Sequence, residues 1–317
     1  RPPRVRRSRA DGLRTRSSCL CYPGERLRNQ RPRAISRRVR GANGLALRHS
    51  WLVFNEFAPA SAQVRIVDCG RASAPRLVRR PDVKPSPPLV SCLMVTAVRP
   101  ASARIAIECF LRQTDSRREL VIADDGPTDE LARHVDSIGD ARIRMLRRKS
   151  ANATLGELRN VAVHAARGEV ICQWDDDDLF DPDRLWWQVG VLLDAEVDAC
   201  FLERWTILWT DGPRVAIGTR RLWEGSMVAR RDAIAAYPAL RRGEDSPVAG
   251  ALVNGGKVAL LGLPELYVYL VHGSNTFDSA HFDAHWEAAT LRFEDPNAHL
   301  EYLQNRVPIA EALAANR

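Results

Sequence analysis

No run of eighteen apolar residues occurs in the 317-residue sequence, so hydropathy offers no transmembrane helix. The Arg- and Pro-rich start has no apolar core segment and does not read as a secretory signal peptide. No Gly-x-Gly-x-x-Gly and no Walker loop occurs, which argues against dinucleotide and P-loop sites. No internal repeat is present. The 7 cysteines are an odd number, and Cys19-x-Cys21 has no second pair at zinc-ligand spacing. Cys92, Cys109, Cys172 and Cys200 lie in apolar segments and read as small buried hydrophobes. This cysteine usage predicts a reducing, cytoplasmic setting.

Charge is present but unevenly spread. Residues 1–88 carry 21 Lys+Arg against 5 Asp+Glu, and residues 89–317 carry 26 against 34. The net +8 is therefore a basic arm joined to a mildly acidic body. Residues 1–50 scatter Arg among Pro, Gly, Ser and Asn without helical or alternating period, a composition that predicts a poorly ordered extension. The sharper alternatives are an arm for anionic lipid, giving peripheral association with the inner face of a membrane, or for nucleic acid. Nucleic acid is disfavoured, because no series of aromatics interleaves with the Arg residues. A third alternative is that the segment is not a natural part of the folded protein. Trp51–Phe54 and Val64–Val67 are candidate short strands, and Pro81–Pro88 reads as a Pro-rich linker.

After the linker the pattern changes. Leu89–Thr96, Glu119–Ala123, Ile143–Leu146 and Val170–Trp174 are apolar runs of strand length. Helical spacing falls at 101–111, 130–138 and 155–167, with Gly168 expected as a C-cap, and a further helix at 183–193. Alternating strands and helices predict an α/β fold with a mostly parallel sheet covered by helices. Further on, strands are expected at 200–202, 206–209, 215–217, 258–261 and 266–271. Helices are expected at 231–237, 248–253, 279–292 and 298–314. The domain boundaries read as an extension at 1–85, a main α/β domain at 86–277 and a helical C-terminal segment at 278–317.

The Asp175-Asp176-Asp177-Asp178 run closes the fourth of these strands. Four adjacent carboxylates repel one another and call for a counter-charge, and a divalent cation is the natural one. A solvated helix start would need only one or two of them. Asp124-Asp125-Gly126 ends an earlier parallel strand, where an acidic side chain can accept from a base or ribose; Asp-Gly is also a common turn. Glu244-Asp245 reads either as a helix N-cap with an acidic first turn or as a general base. His272, just after a strand, is structural or an extra metal ligand. Trp223 and Glu224 line a sugar pocket or belong to the core.

In order, Leu89–Thr96, Asp124-Asp125-Gly126, the helix with Arg159-Asn160, the run Asp175–Asp178 before Pro182, and Gly243-Glu244-Asp245 resemble glycosyltransferase family 2. The likeness spans about residues 89–277, and the His272–Phe277 loop adds to it. The resemblance implies a GT-A (Rossmann-like) fold, a nucleotide-diphospho-sugar donor, Mn²⁺ or Mg²⁺, and inverting transfer to a carbohydrate or glycolipid acceptor in surface polysaccharide or glycoconjugate synthesis. It places Thr96, Asp124, Asp125, Arg159, Asp175 and Asp176 at the nucleotide-sugar, and Asp177, Asp175 and His272 at the metal. It makes Asp245 the base, supported by Glu244. The fourth Asp leaves the metal register open by one position. Rival readings are a sugar-phosphate nucleotidyltransferase, which would bring a Gly-rich nucleotide loop, and a non-catalytic anion-binding protein led by the basic arm.

Overall fold

The computed structural model describes residues 63–67, 87–115, 117–148, 153–212 and 214–316. The chain divides after His49 into two units, and every described residue belongs to the second, Ser50–Arg317. The basic arm at 1–50, Cys19, Cys21, Cys69, the candidate strand Trp51–Phe54 and linker residues 81–86 lie outside the described residues.

A short strand, β1 (Gln63–Val67), comes first. Then strand and helix alternate: β2 (Val90–Thr96), α1 (Pro100–Leu111), β3 (Arg118–Asp124), α2 (Glu130–Ile138), β4 (Ile143–Arg147), α3 (Leu155–Ala165) and β5 (Val170–Gln173). They are followed by β6 (Leu179–Phe180), α4 (Arg184–Asp194), β7 (Ala199–Leu202), β8 (Thr206–Trp209), β9 (Arg214–Ile217) and β10 (Trp223–Arg230). The remainder is α5 (Asp245–Gly255), β11 (Lys257–Leu261), β12 (Tyr267–Val271), α6 (Ser279–Ala288), β13 (Leu291–Arg292), α7 (Pro296–Gln304) and α8 (Ile309–Ala315).

The main sheet runs β1-β11-β7-β10-β5-β2-β3-β4. Every neighbouring pair is parallel except those made by β10, which lies antiparallel to β5 and β7. The expected α/β fold with a mostly parallel, helix-flanked sheet is therefore what forms. The reason is visible in β2, whose seven residues are all buried. Successive side chains face opposite ways. Cys92 and Met94 join a core with Ala106, Ile107 and Phe110 of α1. Leu93 and Val95 join a core with Leu158 and Ala162 of α3. A strand covered on both faces needs a continuous apolar run. A second sheet, β13-β9-β8-β12-β6, adds the later strands.

The order of the main sheet positions the site. From β2 the chain moves outward to β3 and β4, then returns past β2 to β5. Such a reversal opens a crevice beyond the C-terminal strand ends, where α/β sheets bind ligands.

Four local expectations are corrected. Helix α3 ends at Ala165 with an extended Ala166 as its cap, so Gly168 is not a C-cap. Gly168 is instead required by contact, since a Cβ there would sit 2.5 Å from the Leu89 carbonyl. The helix expected at 231–237 is one 3₁₀ turn, Arg231–Ala233. Asn160 takes both backbone groups of Tyr237, accepting at 2.9 Å and donating at 2.8 Å, and Pro238 disfavours helix at Tyr237. The helix expected at 279–292 stops at Ala288, because Arg292 donates to the freed carbonyls of Trp286 and Glu287, both at 2.7 Å. The helix expected at 298–314 is two helices, interrupted before Pro308, which lacks the N–H a continuous helix needs.

Candidate active site

The carboxylates of the Asp175–Asp178 turn diverge as the chain leaves β5. Trp174 anchors the turn from below, fully buried, its indole N–H donating to the Ala106 carbonyl at 3.0 Å. Asp178 turns inward, accepting from the Tyr267 hydroxyl at 2.5 Å and the Leu270 N–H at 2.9 Å. Both its oxygens are used, so Asp178 fastens the turn to β12. Asp175 accepts from Arg159 at 2.8 Å and from the Tyr267 hydroxyl at 3.1 Å. Asp176 and Asp177 share Arg99, whose guanidinium donates to Asp176 at 2.8 Å and also to Asp177. Burial and the Asp177 charge push the Asp176 carboxyl up to about 7, against the pull of Arg99 and the Thr96 hydroxyl. Burial also acts on Asp177, but a hydrogen bond from His272 and the Arg99 charge outweigh it and hold that carboxyl below its usual range.

Arg159 joins this turn to the acidic pair. Helix α3 starts with a reciprocal cap, in which Thr154 accepts from the Glu157 N–H at 3.3 Å and Glu157 accepts from the Thr154 N–H at 2.8 Å. That start places Arg159 one turn along, where it donates to Glu244 at 2.6 Å and to Asp175. Gly243 takes φ +68°, a left-handed turn suited to glycine, directly before Glu244. Asp245 is the first residue of α5. Burial, followed by the charges of Glu244 and Glu224, pushes its carboxyl up to about 7.

At the β2–β3 strand ends, Thr96 and Asp124 are register partners. Asp124 accepts from the Gly126 N–H at 2.8 Å and faces Arg147 at 3.1 Å, while the Asp125 N–H donates to the Thr96 carbonyl at 3.0 Å. His272 reaches in from the loop after β12, its Nε2 lying 3.2 Å from Asp177. The Ser274 N–H donates to its Nδ1 at 3.2 Å. Trp223, at the start of β10, stacks on Trp205 with centroids 4.2 Å apart. A Cβ on Gly225 would lie 3.2 Å from the Trp223 indole nitrogen and 3.3 Å from Asp175. Glu224 is buried and accepts from Arg221 at 3.0 Å.

The candidate residues of the two acidic turns and the strand ends thus fall into two linked groups. Thr96, Asp124, Asp125, Asp176, Asp177 and His272 form the first. Asp175, Arg159, Glu244 and Asp245 form the second. Sequence reasoning missed Arg99 and Tyr267. Arg99 had one signal, its place directly after β2 and before Pro100 at the start of α1. Tyr267 had none, because its partners lie about ninety residues away.

Among the described residues, no group of three or more His, Cys, Asp or Glu side chains is spaced to hold a metal alone. One Asp176 oxygen is nevertheless buried without a hydrogen-bond partner. These residues fit a hard cation that takes one or two carboxylates and completes its shell with phosphate and water. They do not fit an all-protein cage.

Residues 91–233 match the sequence profile of glycosyl transferase family 2. An Escherichia coli UDP-Glc:α-D-GlcNAc-diphosphoundecaprenol β-1,3-glucosyltransferase, WfgD, is 30% identical over 105 residues, 33% of this chain and 41% of that protein. The succinoglycan biosynthesis protein ExoO of Rhizobium meliloti is 39% identical over 80 residues, 25% of this chain and 23% of that protein. The matches therefore span less than half of these relatives' own lengths. Among solved structures, Staphylococcus aureus TarS 1–349 in complex with UDP-GlcNAc superposes with a TM-score of 0.48 and 15% identity, covering 64% of this chain and 61% of that one. The mannosyltransferase PcManGT of Pyrobaculum calidifontis in complex with GDP-Man and Mn²⁺ gives 0.47 and 18%, covering 75% and 72%. The match to the glycosyl transferase family 2 profile thus falls on the segment that carries β2, β3, β5 and the Asp turn.

Proposed function

We propose that the protein is a metal-dependent, inverting glycosyltransferase that moves a sugar from a nucleotide-diphospho-sugar to an acceptor hydroxyl, in polysaccharide or glycoconjugate synthesis. The observation that carries this reading is the link Asp175–Arg159–Glu244, which sets a carboxyl pushed up to about 7 beside an acidic turn at the sheet's switch point. The relatives' names support the substrate class.

In this reading Asp177 holds Mn²⁺ or Mg²⁺, with Asp175 and His272 as further candidates. The bound ion would neutralise the diphosphate as it leaves. Thr96, Asp124, Asp125 and Asp176 border the nucleoside end, and Arg147 keeps Asp124 oriented. Asp245 takes the proton from the acceptor hydroxyl, whose oxygen attacks the anomeric carbon from the face opposite the diphosphate. A base pushed up to about 7 is well matched to proton abstraction near neutral pH. Arg159 binds Glu244 and Asp175 together and so fixes the distance between base and donor. Trp223 and the bare Gly225 backbone form the wall beside Asp175, where the transferred sugar would rest.

Calorimetry with UDP- and GDP-sugars, with and without Mn²⁺, tests the reading. Asp177→Ala is expected to abolish the metal-dependent part of donor binding. If no nucleoside diphosphate or nucleotide-sugar binds the native protein under any of these conditions, the reading fails.

A further inference from the structure

We propose that Arg99 is a resident counter-cation of the donor site, closing the Asp176–Asp177 pair in the donor-free protein and yielding it to the divalent ion that enters with the diphosphate. The proposal deepens the glycosyltransferase reading and rests on it.

Three observations carry it. First, one guanidinium spans both carboxylates, at 2.8 Å from Asp176 and in direct contact with Asp177. Arginine's planar fork suits that task. A divalent cation and a guanidinium cannot share those oxygens, because like charges at contact distance repel. Second, the Arg99 side chain is 24% exposed, against 2% for Asp176 and 13% for Asp177. The guanidinium lies on the outer side of the pair, the side from which an ion would come. Third, the second Asp176 oxygen is buried and has no hydrogen-bond partner. Arg99 therefore leaves part of the pair unsatisfied, and an incoming ion gains an oxygen that the guanidinium does not use.

The backbone shows what happens to a displaced side chain. Arg99 caps α1, and its carbonyl accepts from the Ala103 N–H at 3.0 Å. With the main chain held by the helix, only the side chain is free to swing. It stays at the mouth of the crevice, within reach of the loop carbonyl of Ser274, now 3.5 Å away. A released guanidinium there would meet the diphosphate, for which a bidentate, charge-assisted contact is the strong one. Exchange of one cation for another keeps the acidic turn neutralised throughout.

The test uses Mn²⁺ alone, followed by electron paramagnetic resonance and calorimetry, with UDP and GDP added in separate runs. If Arg99 holds the pair closed for about nine-tenths of the time, Arg99→Gln binds Mn²⁺ alone roughly tenfold more tightly than the native protein. Its melting temperature in metal-free buffer falls, and Mn²⁺ restores it, whereas Mn²⁺ barely moves the native protein. Arg99→Lys keeps the charge without the fork and is expected to lie between them; it also serves where Arg99→Gln folds poorly. Mn²⁺ affinity in both variants equal to or weaker than native overturns the proposal. If the native protein still binds Mn²⁺ with UDP or GDP in that case, the donor-site reading stands. If it binds neither, both fall.

Discussion

Asp245 holds its proton at a pH where most carboxylates have lost theirs, since its environment pushes it from 3.8 up to about 7. With Asp245 as the proposed base the active form is the ionised one, so kcat is expected to rise about tenfold per pH unit below 7 and to level off above it. Asp245→Asn is expected to leave donor binding intact by calorimetry and to reduce turnover by at least about a hundredfold. The same shift has a consequence for stability. A raised folded value favours the neutral carboxyl, so the group's contribution is fully present below about pH 4 and lost as pH rises toward 7. Asp245→Asn, which mimics the neutral form, should therefore unfold at higher denaturant concentration than the native protein at pH 8, with no difference below pH 4. Equal stability at both pH values would count against the half-buried, repelled carboxyl. Among the residues, those legible in the sequence were the ones adjacent to each other. Four consecutive Asp and a Glu-Asp pair announce themselves by mutual repulsion. Arg99 did not, because one Arg among 47 basic residues carries no local sign of a partner so far along the chain. Asp178 looked like its neighbours, and only the return of β12 with Tyr267 and Leu270 reveals it as a fastening.

At the scale of elements, buried parallel strands were the legible part, since covering both faces forces continuous apolar runs. The antiparallel β10 was not. Its sequence, with Glu224, Gly225 and Ser226, lacks the apolar run, and the strand is held between β5 and β7 by ladders that local sequence does not encode. The segment after it has helical composition, but Asn160 claims the backbone of Tyr237 from a distant helix. Strand β1 leads to a prediction. It pairs parallel with β11 from Gln63 to Val67 and covers that strand's outer edge. An uncovered strand edge invites pairing between molecules. A chain starting at residue 63 is expected to melt like the full chain. A chain starting at residue 87 is expected to melt lower and to self-associate in light scattering. Identical behaviour of the two truncations would show that β1 contributes nothing to the sheet's integrity.

At the scale of the whole molecule, charge is basic before residue 89 and acidic after it. If the basic excess serves an anionic surface and the acidic body serves the proposed donor, the two are separable. Deleting residues 1–62 is expected to weaken binding to phosphatidylserine vesicles in a salt-dependent way while leaving Mn²⁺-dependent binding of UDP or GDP unchanged. Loss of nucleotide binding on that deletion would move the chemistry out of the body. Among the described residues no helix is long and apolar enough to cross a membrane.

The other end of the chain is not an appendage. Arg306, between α7 and α8, grips Asp181 and donates to Asp183 at 2.8 Å, a few residues past the acidic turn. The last two helices thus serve as a foundation for the segment that follows the acidic turn. An affinity tag, a surface tether or a trimming protease acting on these helices is expected to loosen the acidic turn from behind.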